Sequence, residues 1–291
     1  MTVRPLIDDY DCIIFDCDGV LYHAEDVIPG AIETIQKLRD AGKHVYFVTN
    51  ASKRCRREFH AKFERLGFNV DLEQCYPSGF FCSAYLKSQY PESRQLFVVG
   101  GTGVVNELEL GGFSIIHANI QAPHNVEMSD EVMRDMIATT PIVDGVVVGF
   151  DTTFSYERLC RASLALQRNP KAFLCVTNED AFVKLEGFCI PGNGAIAASI
   201  RYCLETACGN GRDYIVTGKP DPRIVDFILG KCNVDRSRCL MVGDRIDTDI
   251  AMACNANISG CLVLSGCAKA EEVADAPSKP TYVVASVADL F

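Results

Sequence analysis

Short apolar runs alternate along this chain with segments whose apolar residues recur every three or four positions. Cys12-Ile13-Ile14-Phe15 is the first such run, and it reads as a buried strand of a parallel sheet. Residues 31–38 then carry apolar side chains at helical spacing, with Pro29 ahead and Gly42 behind as start and stop signals. Residues 44–48 form the next strand pattern, and Phe59, Phe63 and Leu66 mark a second helix face stopped by Gly67. The same order returns towards the C-terminus. There 214–217, 239–242 and 261–264 read as strands, and 222–229 and 250–254 as helices. This alternation predicts an α/β fold with a Rossmann-like, doubly wound parallel-sheet core. A middle block has its own strand patterns at 96–99, 145–148 and 173–176, and a helical pattern at 156–166. We read it as a second α/β domain at 84–187, inserted into a core made of 1–83 plus 188–291.

The length of 291 residues accommodates two domains. A net charge of -10 argues against a phosphate-backbone partner such as DNA or RNA, but leaves small phosphorylated molecules open. No run approaches the roughly 18 apolar residues of a membrane span. Met1-Thr2-Val3-Arg4-Pro5 carries no apolar signal region, so the expectation is a cytoplasmic protein. The 15 cysteines include no C-x-x-C pair. They read as free thiols packed mostly as small apolar residues, rather than as zinc ligands or disulfides. Gly100-Gly101-Thr102-Gly103 lacks the full dinucleotide fingerprint and reads as a strand-to-helix turn.

Polar groups stand at four strand ends. Asp16 and Asp18 follow the first, and Thr49, Asn50 and Ser52 the second. Lys219 follows the third; Asp244 follows the fourth, with Asp249 one turn later. Carboxylates two apart on an extended chain point the same way. In a doubly wound sheet such strand ends meet at one crevice. Taken singly, Thr49-Asn50 is equally a turn, Lys219 a surface lysine and Gly243-Asp244 a helix cap. Taken together, they are what phosphoryl transfer to a carboxylate needs. One carboxylate attacks and another moves protons. A hard cation bound by Asp16 and Asp244 neutralises charge, while Lys219, the Thr49 hydroxyl and nearby backbone N–H groups hold phosphate oxygens.

Four segments resemble the motifs of haloacid dehalogenase superfamily phosphatases. They are Asp16-Cys17-Asp18-Gly19-Val20-Leu21, Val48-Thr49-Asn50-Ala51-Ser52, Thr217-Gly218-Lys219-Pro220, and the stretch from Val242-Gly243-Asp244 to Asp249-Ile250. Three more are similar to the subgroup with a large inserted cap: Val146-Val147-Val148-Gly149-Phe150-Asp151, Thr177-Asn178-Glu179-Asp180 and Pro191-Gly192-Asn193-Gly194. That subgroup comprises 4-nitrophenylphosphatases, phosphoglycolate phosphatases and pyridoxal phosphate phosphatases. Ala51 stands where it often has Asn, and Tyr22 where it often has Trp.

The resemblance implies Asp16 as nucleophile and Asp18 as general acid/base, with the Asp18 backbone carbonyl, Asp16 and Asp244 on Mg2+. It implies Thr49, Asn50 and Lys219 as phosphate-binding residues, with Asp249 and Ser52 supporting them from behind. It also implies a small phosphorylated metabolite as substrate and homodimerisation through the cap. We place substrate choice in Phe182, Lys184 and Glu186, on a segment expected to lead from a cap strand back to the core. The alternatives are a degenerate member that binds without turnover, a phosphoprotein phosphatase, and a mutase or dehalogenase. A dehalogenase has no need of Asp18, and a large cap is a hydrolase feature.

Overall fold

The computed structural model describes residues 6–117, 128–185, 187–209 and 213–291. The chain divides into two compact units: 1–49, 56–77 and 218–291 form the first, and 50–55 and 78–217 the second.

The first unit is built on a six-stranded sheet. Its order is Tyr282–Val284, Ser259–Val263, Cys239–Gly243, Cys12–Phe15, His44–Thr49, Cys75–Pro77, and every pairing in it is parallel. The chain fills one side of Cys12–Phe15 first and then crosses to the other. The reversal of strand order therefore falls between Cys12–Phe15 and Cys239–Gly243, where open α/β sheets bind ligands. Both strands are buried throughout, as expected of parallel strands covered on both faces. Ile13, Phe15, Val45, Phe47, Leu240 and Val242 share one core with Ile35, Leu38, Phe59 and Phe63. The periodic positions read from the sequence thus face that sheet.

The second unit has a five-stranded parallel sheet, ordered Tyr214–Val216, Phe173–Val176, Gly145–Val148, Gln95–Val99, Ser114–His117. Alternate residues supply its two cores. Phe97 and Val99 join one with Ile196, Ala197 and Ile200, and Leu96 and Val98 join the other with Cys82, Leu86 and Val104. Gly100 and Gly101 connect Gln95–Val99 to the helix Thr102–Leu110, the strand-to-helix turn expected there.

Three features differ from the sequence expectation. Tyr214–Val216 was assigned to the core sheet, but it pairs with Phe173–Val176 in the second. The cause lies upstream. Asn193–Cys208 is a 16-residue helix whose Ile196, Ala197, Ile200 and Leu204 pack in the second unit, so the strand after it completes a crossover there. The second unit consequently runs over 78–217, wider than the expected 84–187. Finally, the segment expected to lead back to the core is an antiparallel hairpin, Phe182–Leu185 with Phe188–Pro191. It leads on into that same helix.

Among the described residues, no helix is long and apolar enough to cross a membrane. All 15 cysteines are free, and eight of them are buried.

Candidate active site

Asp16 follows the central strand directly, and its N–H donates to Val242 O at 2.8 Å. That bond continues the ladder one residue past Phe15, so the carboxylate leaves at the strand's carboxyl end. Asp244 directly follows the neighbouring strand Cys239–Gly243. Asp249 lies in the π-helical turn Ile246–Ile250, and its Oδ2 accepts from the N–H groups of Asp244 at 3.2 Å and Arg245 at 3.0 Å. Asp16, Asp244 and Asp249 bring one carboxylate oxygen each to within 4.8 Å of one another, all from buried residues.

Lys219 is the counter-ion. Its Nζ lies 2.5 Å from Asp16 Oδ1 and 2.7 Å from Asp249 Oδ1, and donates to Val48 O at 3.3 Å. The lysine does not stand at the end of a core strand as expected. It lies on the segment that begins the first unit's last section, and its peptide bond to Pro220 is cis. Val48 is one residue before Thr49, so the same contact brings the end of His44–Thr49 into the cluster.

Burial opposes charge at Asp16, Asp244 and Lys219. It drives the Asp16 carboxyl well above the ordinary range, and the neighbouring Asp249 and Asp244 add to the rise against the pull of Lys219. Asp244 is pushed up to about 6, first by burial and then by Asp249, while the Cys267 N–H works the other way. Burial lowers Lys219, but the Asp16 and Asp249 charges outweigh it and raise the ammonium above its usual value. When ionised, three carboxylates facing one ammonium leave an excess of negative charge that a divalent cation would offset. The donors are hard oxygens, so they fit Mg2+ or Ca2+ rather than a soft metal.

Asp18 is exposed and is not one of the three clustered carboxylates. Partial desolvation raises its carboxyl, opposed by Lys62 and His23. Lys62 belongs to no motif in the sequence. It is buried on the helix Arg56–Arg65 with its Nζ 3.6 Å from the centre of the Tyr22 ring.

Ser265-Gly266-Cys267 likewise lies outside the sequence motifs. The Cys267 N–H donates to Asp244 Oδ2 at 2.7 Å, and Ser265 Oγ donates to Gly19 O at 2.8 Å. A Cβ on Gly266 would lie 2.0 Å from Asp244 Oδ2, and one on Gly19 2.4 Å from it. Only the absence of side chains lets these two backbones close around the carboxylate. The spacing of Ser265-Gly266-Cys267 from the motifs gives no signal of this, because the approach is made by backbone.

Thr49 is buried at the end of its strand. Asn50 and Ser52 belong to the second unit, where Ser52 Oγ accepts from the Phe150 N–H at 3.0 Å. Phe182 is half-buried and Lys184 exposed on the hairpin, whereas Glu186 lies outside the described residues.

Known proteins resemble this chain over nearly its whole length. A family model described as haloacid dehalogenase-like hydrolase matches residues 13–114, and a HAD-hydrolase-like model matches 216–290. The chain is 35% identical over 292 residues to 4-nitrophenylphosphatase of Schizosaccharomyces pombe, covering 99% of this chain and 95% of that protein. It is 34% identical to phosphoglycolate phosphatase 2 of Arabidopsis thaliana, with 99% and 94% covered. A crystal structure of glycerol phosphate phosphatase from Mycobacterium tuberculosis in complex with magnesium superposes with a TM-score of 0.80 at 26% identity, covering 99% of this chain and 79% of that one. A buried aspartate cluster at the switch point of a parallel sheet, and full-length similarity to these phosphatases, make the chain a member of the haloacid dehalogenase-like hydrolases.

Proposed function

We propose that this protein is a magnesium-dependent phosphatase of small phosphate monoesters, related in substrate to 4-nitrophenyl phosphate, phosphoglycolate or pyridoxal phosphate. The observation that carries the reading is Asp16, buried at a strand end, with Lys219 at 2.5 Å and Asp244 and Asp249 beside it.

Asp16, the Asp18 carbonyl and Asp244 would hold a magnesium ion, which would supply charge neutralisation for attack on a dianionic ester. Lys219 favours the ionised form of Asp16 against burial and adds a fixed positive charge for phosphate oxygens, which Thr49 and Asn50 help to hold. An Asp16 oxygen attacks phosphorus and the bond to the leaving oxygen breaks. Asp18 protonates that oxygen, and an aspartyl phosphate remains. Asp18, now a base, takes a proton from water as it attacks phosphorus, and Asp16 is released with inorganic phosphate. Asp249 fixes Lys219 and the Asp244 backbone throughout. We assign recognition of the leaving group to the hairpin carrying Phe182 and Lys184.

The test is phosphate release from a panel of phosphorylated metabolites, with and without chelator, for wild type and Asp16→Asn. The substitution keeps shape and removes the nucleophile, so turnover should fall by at least about three orders of magnitude with the fold intact. Near-wild-type release by Asp16→Asn, or full activity in excess chelator, sinks the proposal.

A further inference from the structure

Residues 50–55 follow Thr49 directly in sequence, yet they are built into the second unit. Asn50 is held there from three sides. Ser78 Oγ and Asn178 Nδ2 each donate to the Asn50 carbonyl at 2.8 Å, and Asn50 Nδ2 donates to Asp180 Oδ1 at 3.1 Å. Asn178 and Asp180 belong to Thr177-Asn178-Glu179-Asp180, directly after the strand Phe173–Val176. The Asp180 N–H donates to Asn178 Oδ1 at 3.1 Å and closes this segment into a turn.

That turn is fixed in its own right. Asn193 Nδ2 donates to Asn178 O at 2.8 Å, and the Gly194 N–H to Asp180 O at 2.9 Å. Pro191-Gly192-Asn193-Gly194 lies flat against it. A Cβ on Gly192 would meet Asp180 O at 2.3 Å, and one on Gly194 would meet Glu179 O at 2.4 Å. Asn178 and Asn193 are both buried. One motif thus clamps the second, and the second clamps Asn50.

The two clamped groups are those that set how this segment meets an anion. In a trans peptide the carbonyl and the following N–H point opposite ways. Holding the Asn50 carbonyl therefore fixes the direction of the Ala51 N–H. A carboxylate only accepts hydrogen bonds. Asp180 thus selects the nitrogen end of the Asn50 carboxamide, the end that a phosphate oxygen also requires.

We propose that Asn178 and Asp180 are positioning residues for phosphate binding, Asn178 through the 50–51 peptide and Asp180 through the Asn50 carboxamide. The proposal rests on the reading of Asn50 as a phosphate-binding residue, and one double-mutant cycle separates the two. The probes are 4-nitrophenyl phosphate as substrate and inorganic phosphate as competitive inhibitor, both with magnesium. Hydrogen bonds to charged groups correspond to roughly tenfold or more in affinity. Asp180→Ala should therefore raise KM and the phosphate inhibition constant together by about tenfold. Asp180→Asn keeps an acceptor oxygen and should recover most of that loss. In an Asn50→Ala background, Asp180→Ala should add less than about twofold, because its target is gone. Losses that multiply in the double variant, or unchanged phosphate inhibition in Asp180→Ala, overturn the positioning role. If Asn50→Ala alone leaves KM and phosphate inhibition at wild type, the phosphate-binding reading of Asn50 fails and the proposal falls with it.

Discussion

Adding one methyl group at Gly266 should weaken metal binding without removing any polar atom. The Cβ of Gly266→Ala would sit 2.0 Å from Asp244 Oδ2 and 2.5 Å from its Cγ. A carbon–oxygen contact needs about 3.3 Å, so the carboxylate or the 265–267 backbone must give by roughly 1 Å. Either shift strains the 2.7 Å bond from the Cys267 N–H to Asp244 Oδ2. The backbone of Gly266 is not in the left-handed region, so the clash alone is being measured. Overpacking of this kind costs about 1–3 kcal/mol. A misplacement near 1 Å in a catalytic constellation costs about a hundredfold in rate. The assay is 4-nitrophenyl phosphate hydrolysis across a magnesium titration, with thermal unfolding alongside. The magnesium concentration for half-maximal activity should rise at least about tenfold, which corresponds to 1.4 kcal/mol and lies within the overpacking range. Gly230→Ala is the control, since its Cβ would meet nothing within 4 Å. It lies within the helix Arg223–Cys232 and should stabilise slightly. A wild-type magnesium profile in Gly266→Ala would show that Asp244 does not need this close backbone, and the reasoning from the site geometry would fail.

In Asp18→Asn, single-turnover phosphoenzyme formation should slow far more with an alkyl phosphate than with 4-nitrophenyl phosphate, whose leaving group departs without a proton; equal losses exclude the acid role. The folded pKa of Asp244 is raised to about 6. Its protonated form therefore favours the folded state below the unfolded value near 3.8, and that contribution, at most about 3 kcal/mol, is lost as pH rises through 6. Magnesium competes with that proton, so the rise in Tm on adding magnesium to chelated protein should be larger at pH 7.5 than at pH 5; an equal rise contradicts it. Phe182→Ala and Lys184→Ala should reorder kcat/KM among natural phosphate esters while changing 4-nitrophenyl phosphate by less than about threefold, and a uniform loss across all substrates would make the hairpin structural.

The sequence by itself made the central core strands and the carboxylates at their ends legible. Runs such as Cys12–Phe15 and Cys239–Gly243 are apolar from end to end because parallel strands are buried on both faces, and that pattern is legible one residue at a time. The carboxylates at their ends are equally legible, because a strand delivers its next residues to the sheet's edge. Tertiary structure alone decided which sheet a strand joins. Tyr214–Val216 has the same local pattern as a core strand, and only the packing of Asn193–Cys208 sends it to the second sheet. Tertiary structure also decided every contact made through backbone. Gly266 against Asp244, and Asn178 against the Asn50 carbonyl, depend on peptide groups from segments far apart in the chain. Peptide groups are common to all residues, so their partners leave no trace in side-chain identity until the chain has folded.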